Sequence, residues 1–132
     1  MTPESVVVVL PLPPRVLSPN VAQATLRGRF AKAAAAKKYR CLTKEAIQEE
    51  RIETTPWGLI EVTPEFFHAT KRRRDTDNAM TSLKPAYDGL VDAGLVEDDD
   101  PEHMRRMSPV FSIDRDNPRV VLAIVRVNNN ES

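Results

Sequence analysis

From Val21 to about Glu50 the chain is rich in Ala, Lys, Arg, Gln and Glu, and a run of that length and composition predicts one long helix. A helix of that size in a chain of 132 residues must share its one modest core with whatever the rest forms. Asn20 is placed to cap it, with Gln23 completing a capping-box pattern. Leu26, Phe30, Ala33 and Ala34 supply a stripe expected to be buried. Before it, residues 5–10 read as a β-branched strand, closed by the proline-rich stretch Pro11 to Pro19, which is expected to be extended.

After the helix, residues 51–70 read as one or two strands with a turn near Pro56-Trp57-Gly58, and Trp57 reads as a packing residue. An amphipathic stretch to Ala93 carries Leu83, Tyr87, Leu90 and Val91 at helical spacing. Gly94 stands where a left-handed cap would end it. Pro85 either kinks that helix or sits in its first turn. Residues 104–113 and 119–127 are two further strand candidates. The turn formers Asp114 to Pro118 between them predict a C-terminal antiparallel hairpin, followed by a polar tail over about 128–132. The fold class expected is α/β (α+β), as a single mixed domain over 1–132.

The short apolar run Val6 to Leu10 cannot span a membrane, and the one cysteine, Cys41, fits a reducing cytoplasm. Net charge is zero, yet the charges are segregated. Seven basic residues and no acidic one lie between Arg27 and Lys44, Lys71-Arg72-Arg73-Arg74 is contiguous, and Glu97 to Asp100 with Glu102 form an acidic run. Such segregation suits a protein that holds phosphates with one surface and metal ions with another, although either run can also be a solvated face.

The chemistry concentrates in Asp75-Thr76-Asp77-Asn78, Lys84, Asp88 and the acidic run. On an extended segment Asp75 and Asp77 point the same way, and one carboxylate from 98–100 would gather three negative charges. At ~4 Å and a surface-like dielectric each like-charged pair costs ~4 kcal/mol, so a positive partner has to fill the group. Hard oxygen donors favour magnesium, with manganese as an alternative, and such an ion suits phosphodiester hydrolysis. The bland alternative is that the aspartates cap a helix beside a solvated loop. A calcium loop lacks its glycine and further ligands after Asn78, and His68, His103 and Cys41 have no zinc-like spacing.

The run Arg73-Arg74-Asp75-Thr76-Asp77-Asn78, then Lys84-Pro85-Ala86-Tyr87-Asp88-Gly89-Leu90-Val91-Asp92-Ala93-Gly94-Leu95-Val96-Glu97-Asp98-Asp99, resembles the core signature of RusA-type Holliday junction resolvases. The opening Leu10-Pro11-Leu12-Pro13-Pro14 and Leu17-Ser18-Pro19-Asn20 resemble phage members of that family. The resemblance implies a homodimeric, metal-dependent endonuclease cutting branched DNA such as four-way junctions. By position it implies Asp75, Asp77 and Asp99 as metal ligands and Lys84 as a catalytic lysine. Asp98 and Asp100 compete with Asp99. Lys84 follows Asp77 by seven residues where the family's lysine follows by four, two helical turns in place of one. Lys71, Arg72, Arg73 and Arg74 are expected against the DNA backbone, with Lys37, Lys38 and Arg40 as a second surface. Rival readings are a non-catalytic branched-DNA-binding module and a flap or fork endonuclease.

Overall fold

The computed structural model describes residues 4–19, 25–50, 55–127, and the expected helix cap at Asn20 and Gln23, like the tail over 128–132, lies outside them. Strand β1 (Ser5–Leu10) alternates exposed and buried residues without interruption, as a run of valines on a one-sided sheet should. A one-turn 3-10 helix (Arg15–Leu17) follows, then α1 (Leu26–Glu50), β2 (Ile60–His68), α2 (Thr76–Ser82), α3 (Lys84–Asp92), β3 (Met104–Arg106), β4 (Val110–Ile113) and β5 (Arg119–Arg126). Together they make a mixed α+β fold, one five-stranded sheet covered on one face by helices.

The sheet order is β1-β5-β2-β3, with β4 also on β2. β5 lies antiparallel to both β1 and β2, and β3 and β4 run parallel to β2 along its other edge. The expected C-terminal hairpin is therefore corrected. β4 and β5 flank β2 on opposite sides, and the turn-forming segment at 114–118 carries the chain past the end of β2 instead of folding it back on itself.

The single strand expected over 104–113 is also split, and Pro64 explains where. Ile60 donates to the His103 carbonyl, and the carbonyls of Val62 and His68 accept from Met107 and Asp114, so alternate residues of β2 face this edge. By the same alternation Pro64 faces it too, and proline has no N–H to give. The gap between β3 and β4 falls opposite it.

The core lies between the sheet's inner face (Val8, Leu10, Ile60, Val62, Leu122, Ile124) and helices α1 and α3. α1 turns Tyr39, Thr43 and Ile47 inward, a spacing of four residues. The stripe expected from Leu26, Phe30, Ala33 and Ala34 is exposed instead, Phe30 to 66%. Nine residues separate Phe30 from Tyr39, so at 3.6 residues per turn they point about 180° apart, and only one of them can face the core.

Pro85 resolves as a first-turn proline. α2 ends at Ser82, Leu83 joins the two helices, and α3 starts at Lys84. Gly94 takes the expected left-handed conformation at φ 81° beyond the end of α3. Gly89 sits where α3 meets α1: a Cβ there would lie 2.5 Å from the Arg40 carbonyl oxygen and 2.7 Å from Thr43 Cβ. Gly89→Ala must push two helix backbones apart. Overpacking costs about 1–3 kcal/mol and improved helix propensity returns about 1 kcal/mol, so a net loss is expected. The stability read from urea unfolding should fall by up to about 2 kcal/mol, seen as a lower midpoint, and an unchanged midpoint would contradict the packing described.

Candidate active site

Asp75 occupies the N-cap of α2, and its Oδ1 accepts from the Asn78 N–H at 3.0 Å. Asp77 lies in the first helical turn and is exposed. The expectation that the two share one side of an extended segment is thus corrected: asparagine, threonine and aspartate at 75–78 start a helix, and one carboxylate is engaged in capping it. The seven-residue spacing from Asp77 to Lys84 likewise does not describe two turns of one helix, because the joint at Leu83 places them on different helices.

Lys84 nonetheless meets the acidic run. Its Nζ donates to Asp88 Oδ1 at 2.7 Å and to Asp99 Oδ2 at 2.6 Å. The first contact is the i, i+4 pairing that a helix allows. The second closes a loop of fifteen residues that sequence spacing does not reveal. Asp99 also accepts from Arg106 Nη2 at 2.8 Å, while that guanidinium lies 4.8 Å from the centre of the Tyr87 ring.

The competition among the three consecutive aspartates has a structural answer as to orientation. Asp98 Oδ1 accepts from the Asp99 N–H, and Asp100 Oδ1 accepts from the N–H groups of Glu102 and His103 and contacts His103 Nδ1 at 2.6 Å. Asp98 and Asp100 shape their own turn, and Asp99 is the one that faces Lys84 and Arg106. The Lys84 hydrogen bond first, then the charges of Lys84 and Arg106, hold the Asp99 carboxyl below the usual carboxylate range. Asp88 and then Asp99 raise Lys84, so its ammonium stays protonated at neutral pH.

Arg40 is placed otherwise than expected. It forms a bidentate pair with Asp92, one arm at 2.7 Å, and its Nη1 approaches Asp88 at 4.0 Å. The guanidinium fastens α1 to α3, and two carboxylates already answer part of its charge. Lys37 and Lys38 remain exposed on α1.

Of the cationic cluster, Lys71, Arg72 and Arg73 are exposed, and Arg74 is half-buried with Nη2 donating to the Thr70 carbonyl. Arg73, Arg74 and Asp75 form one wall of a cavity of about 450 Å³. Its lining includes Phe66, His68 and Phe111; of these, sequence reading had weighed only His68, and only as a zinc ligand. The signal was half visible, since Phe66 and His68 share a strand face at i, i+2, but Phe111 joins them only through strand pairing.

The carboxylates are of the kind that binds hard divalent ions. Among the described residues, however, no three His, Cys, Asp or Glu side chains are grouped as a metal cage. Comparison with models of known protein families finds no match, and neither does comparison with curated proteins.

Burial first, and the charge of Arg74 second, lower the pKa of His68 below its ordinary value. A histidine depressed in the fold takes its proton sooner when unfolded, so its contribution to stability holds above the unfolded pKa of about 6.5 and is lost as pH falls below it. Arg74→Met should raise the His68 midpoint only in part, because burial is the larger cause. Proton NMR titration of the ring checks this, and a wild-type midpoint at or above the ordinary value would contradict the burial described.

Proposed function

We propose that the chain is a structure-selective DNA endonuclease of the RusA type that resolves four-way junctions by magnesium- or manganese-dependent phosphodiester hydrolysis. The carrying observation is the contact of Lys84 with Asp99: two separate parts of the sequence signature meet through space despite the lengthened spacing. Asp75, Asp77 and Asp99 would hold the ion, which when bound activates water and stabilises the leaving oxygen. Lys84, kept protonated by Asp88 and Asp99, suits neutralising the phosphate or giving a proton to the leaving sugar oxygen, and does not suit work as a base. Arg73 and Arg74, beside Asp75, supply sequence-independent attraction for the backbone.

A second reading is favoured by a specific observation. Asp99 is already balanced by two cations, and the three carboxylates are not gathered, which suits a branched-DNA-binding module without catalysis.

Incubation with a labelled four-way junction and a matched linear duplex, in magnesium, manganese or EDTA, separates the two. Paired nicks in the junction alone, absent in EDTA, are expected. Asp75→Asn and Asp99→Asn should lower cutting by about 10²-fold or more while binding persists, and Lys84→Ala by about 10²-fold. Tight junction binding without cutting in any metal would select the binding module, and no binding would overturn both.

A two-fold substrate calls for a two-fold enzyme, and a homodimer belongs to the same proposal. The sheet face turned away from the helices supports it: Val7, Val9 and Val125 are exposed there, with Val7 opposite Ala123 and Val9 opposite Val121. A contiguous apolar face of this kind suits a second copy of the chain. Among the described residues no helix is long and apolar enough to cross a membrane. Val9→Lys should shift sedimentation from dimer toward monomer without unfolding the chain, and an unaltered dimer would place the contact elsewhere.

A further inference from the structure

The cavity beside Asp75 contains more than phosphate binding requires. Phe66 and His68 project from the same face of β2 with ring centres 6.0 Å apart and planes within 8° of parallel. Phe111, opposite Phe66 in the parallel register, adds a third ring 5.6 Å from Phe66 and 6.3 Å from His68. Phe66 is buried, whereas His68 and Phe111 are half-buried and line the cavity. Pro13 and Pro14 form part of the wall, rigid apolar surface at no cost in side-chain freedom. At about 450 Å³ the space is that of a small-ligand pocket.

Charge completes the pattern. Arg73 and Arg74 stand at the rim, and none of the ion pairs among the described residues uses either of them. Burial keeps the His68 ring neutral at neutral pH, so its face accepts a stacked π-system beside two guanidinium groups without adding a third charge. Aromatic faces next to unpaired cations complement a nucleotide, with rings for the base and guanidinium groups for its phosphate.

We propose that this cavity takes one unpaired nucleobase of a DNA strand, stacked against His68 and Phe111, with the adjoining phosphate held by Arg73 and Arg74. The inference rests on the nucleic-acid reading above and deepens it. A base has to leave its duplex to enter, so a base beside a branch point, where stacking is interrupted, enters at lower cost, and the phosphate it brings lies beside Asp75. Selectivity for branched DNA then comes from a pocket for an open base as well as from overall shape.

The test compares the full chain's affinity for a short oligothymidylate and for an abasic oligomer of the same length, by fluorescence anisotropy at one salt concentration. The two carry the same phosphates, so electrostatic attraction cancels. Oligothymidylate should bind about tenfold more tightly. Phe111→Leu and His68→Leu, which keep apolar volume and remove a ring, should bring the ratio close to one while leaving abasic binding in place. Arg73→Ala, at an exposed position, should weaken both oligomers alike. Equal affinity of the wild-type chain for the two oligomers overturns the proposal without any variant. If the four-way junction is still bound or cut in that case, only the base pocket falls. If no DNA binds at all, the nucleic-acid reading falls with it.

Discussion

Where α3 crosses α1, Gly89 rests against the Arg40 carbonyl and Thr43 with no room for a Cβ, so the two helices meet backbone to backbone. The same approach lets the Arg40 side chain reach forward to Asp92 and Asp88 on α3. Asp88 in turn holds Lys84, Lys84 meets Asp99, and Asp99 is shared with Arg106 on β3. Charges alternate in sign along this chain, from the long helix through α3 and the acidic loop to the sheet edge.

These ion pairs orient groups more than they hold the fold. Most of the side chains are a quarter to a half exposed, and exposed pairs contribute about 0–1 kcal/mol each. Cohesion comes from the layer of Val8, Ile60, Val62, Leu122 and Ile124 against Tyr39, Ile47, Tyr87 and Leu90. The network also gives the zero net charge a physical meaning. Several acidic residues near α3 are answered by cations of the same region, while Lys71, Arg72 and Arg73 stand exposed as a patch of one sign, suited to phosphate.

Much of the frame was legible from pattern alone. The alternation of β1, the strand at 119–126, the cap at Gly94 and the packing role of Trp57 each follow from local rules, and the structure agrees. Readings failed where two local signals competed. Leu26 and Phe30 are apolar at helical spacing, but Tyr39, Thr43 and Ile47 define the buried face and Phe30 lies opposite. Turn formers at 114–118 suggested a hairpin, yet β5 finds both partners elsewhere in β1 and β2. Within the site, Asp75, Lys84 and Asp99 could be singled out by motif. That Lys84 touches Asp99, that Arg40 is committed to Asp92, and that Phe111 joins Phe66 and His68 are all products of tertiary pairing and carry no sequence period.

Lys84 and Arg106 supply the positive charge that Asp99 requires, and the proposed metal centre would need Asp75, Asp77 and Asp99 drawn to a shared point. The most direct measurement is a titration with paramagnetic manganese followed by amide NMR, with magnesium as the diamagnetic competitor. Expected is early broadening confined to the neighbourhoods of Asp75, Asp77 and Asp99, together with a shift of the Lys84 ammonium, all reversed by excess magnesium. Broadening spread over Glu97, Asp98, Asp100 and Glu102, with Asp75 and Asp77 untouched, would contradict a shared metal centre.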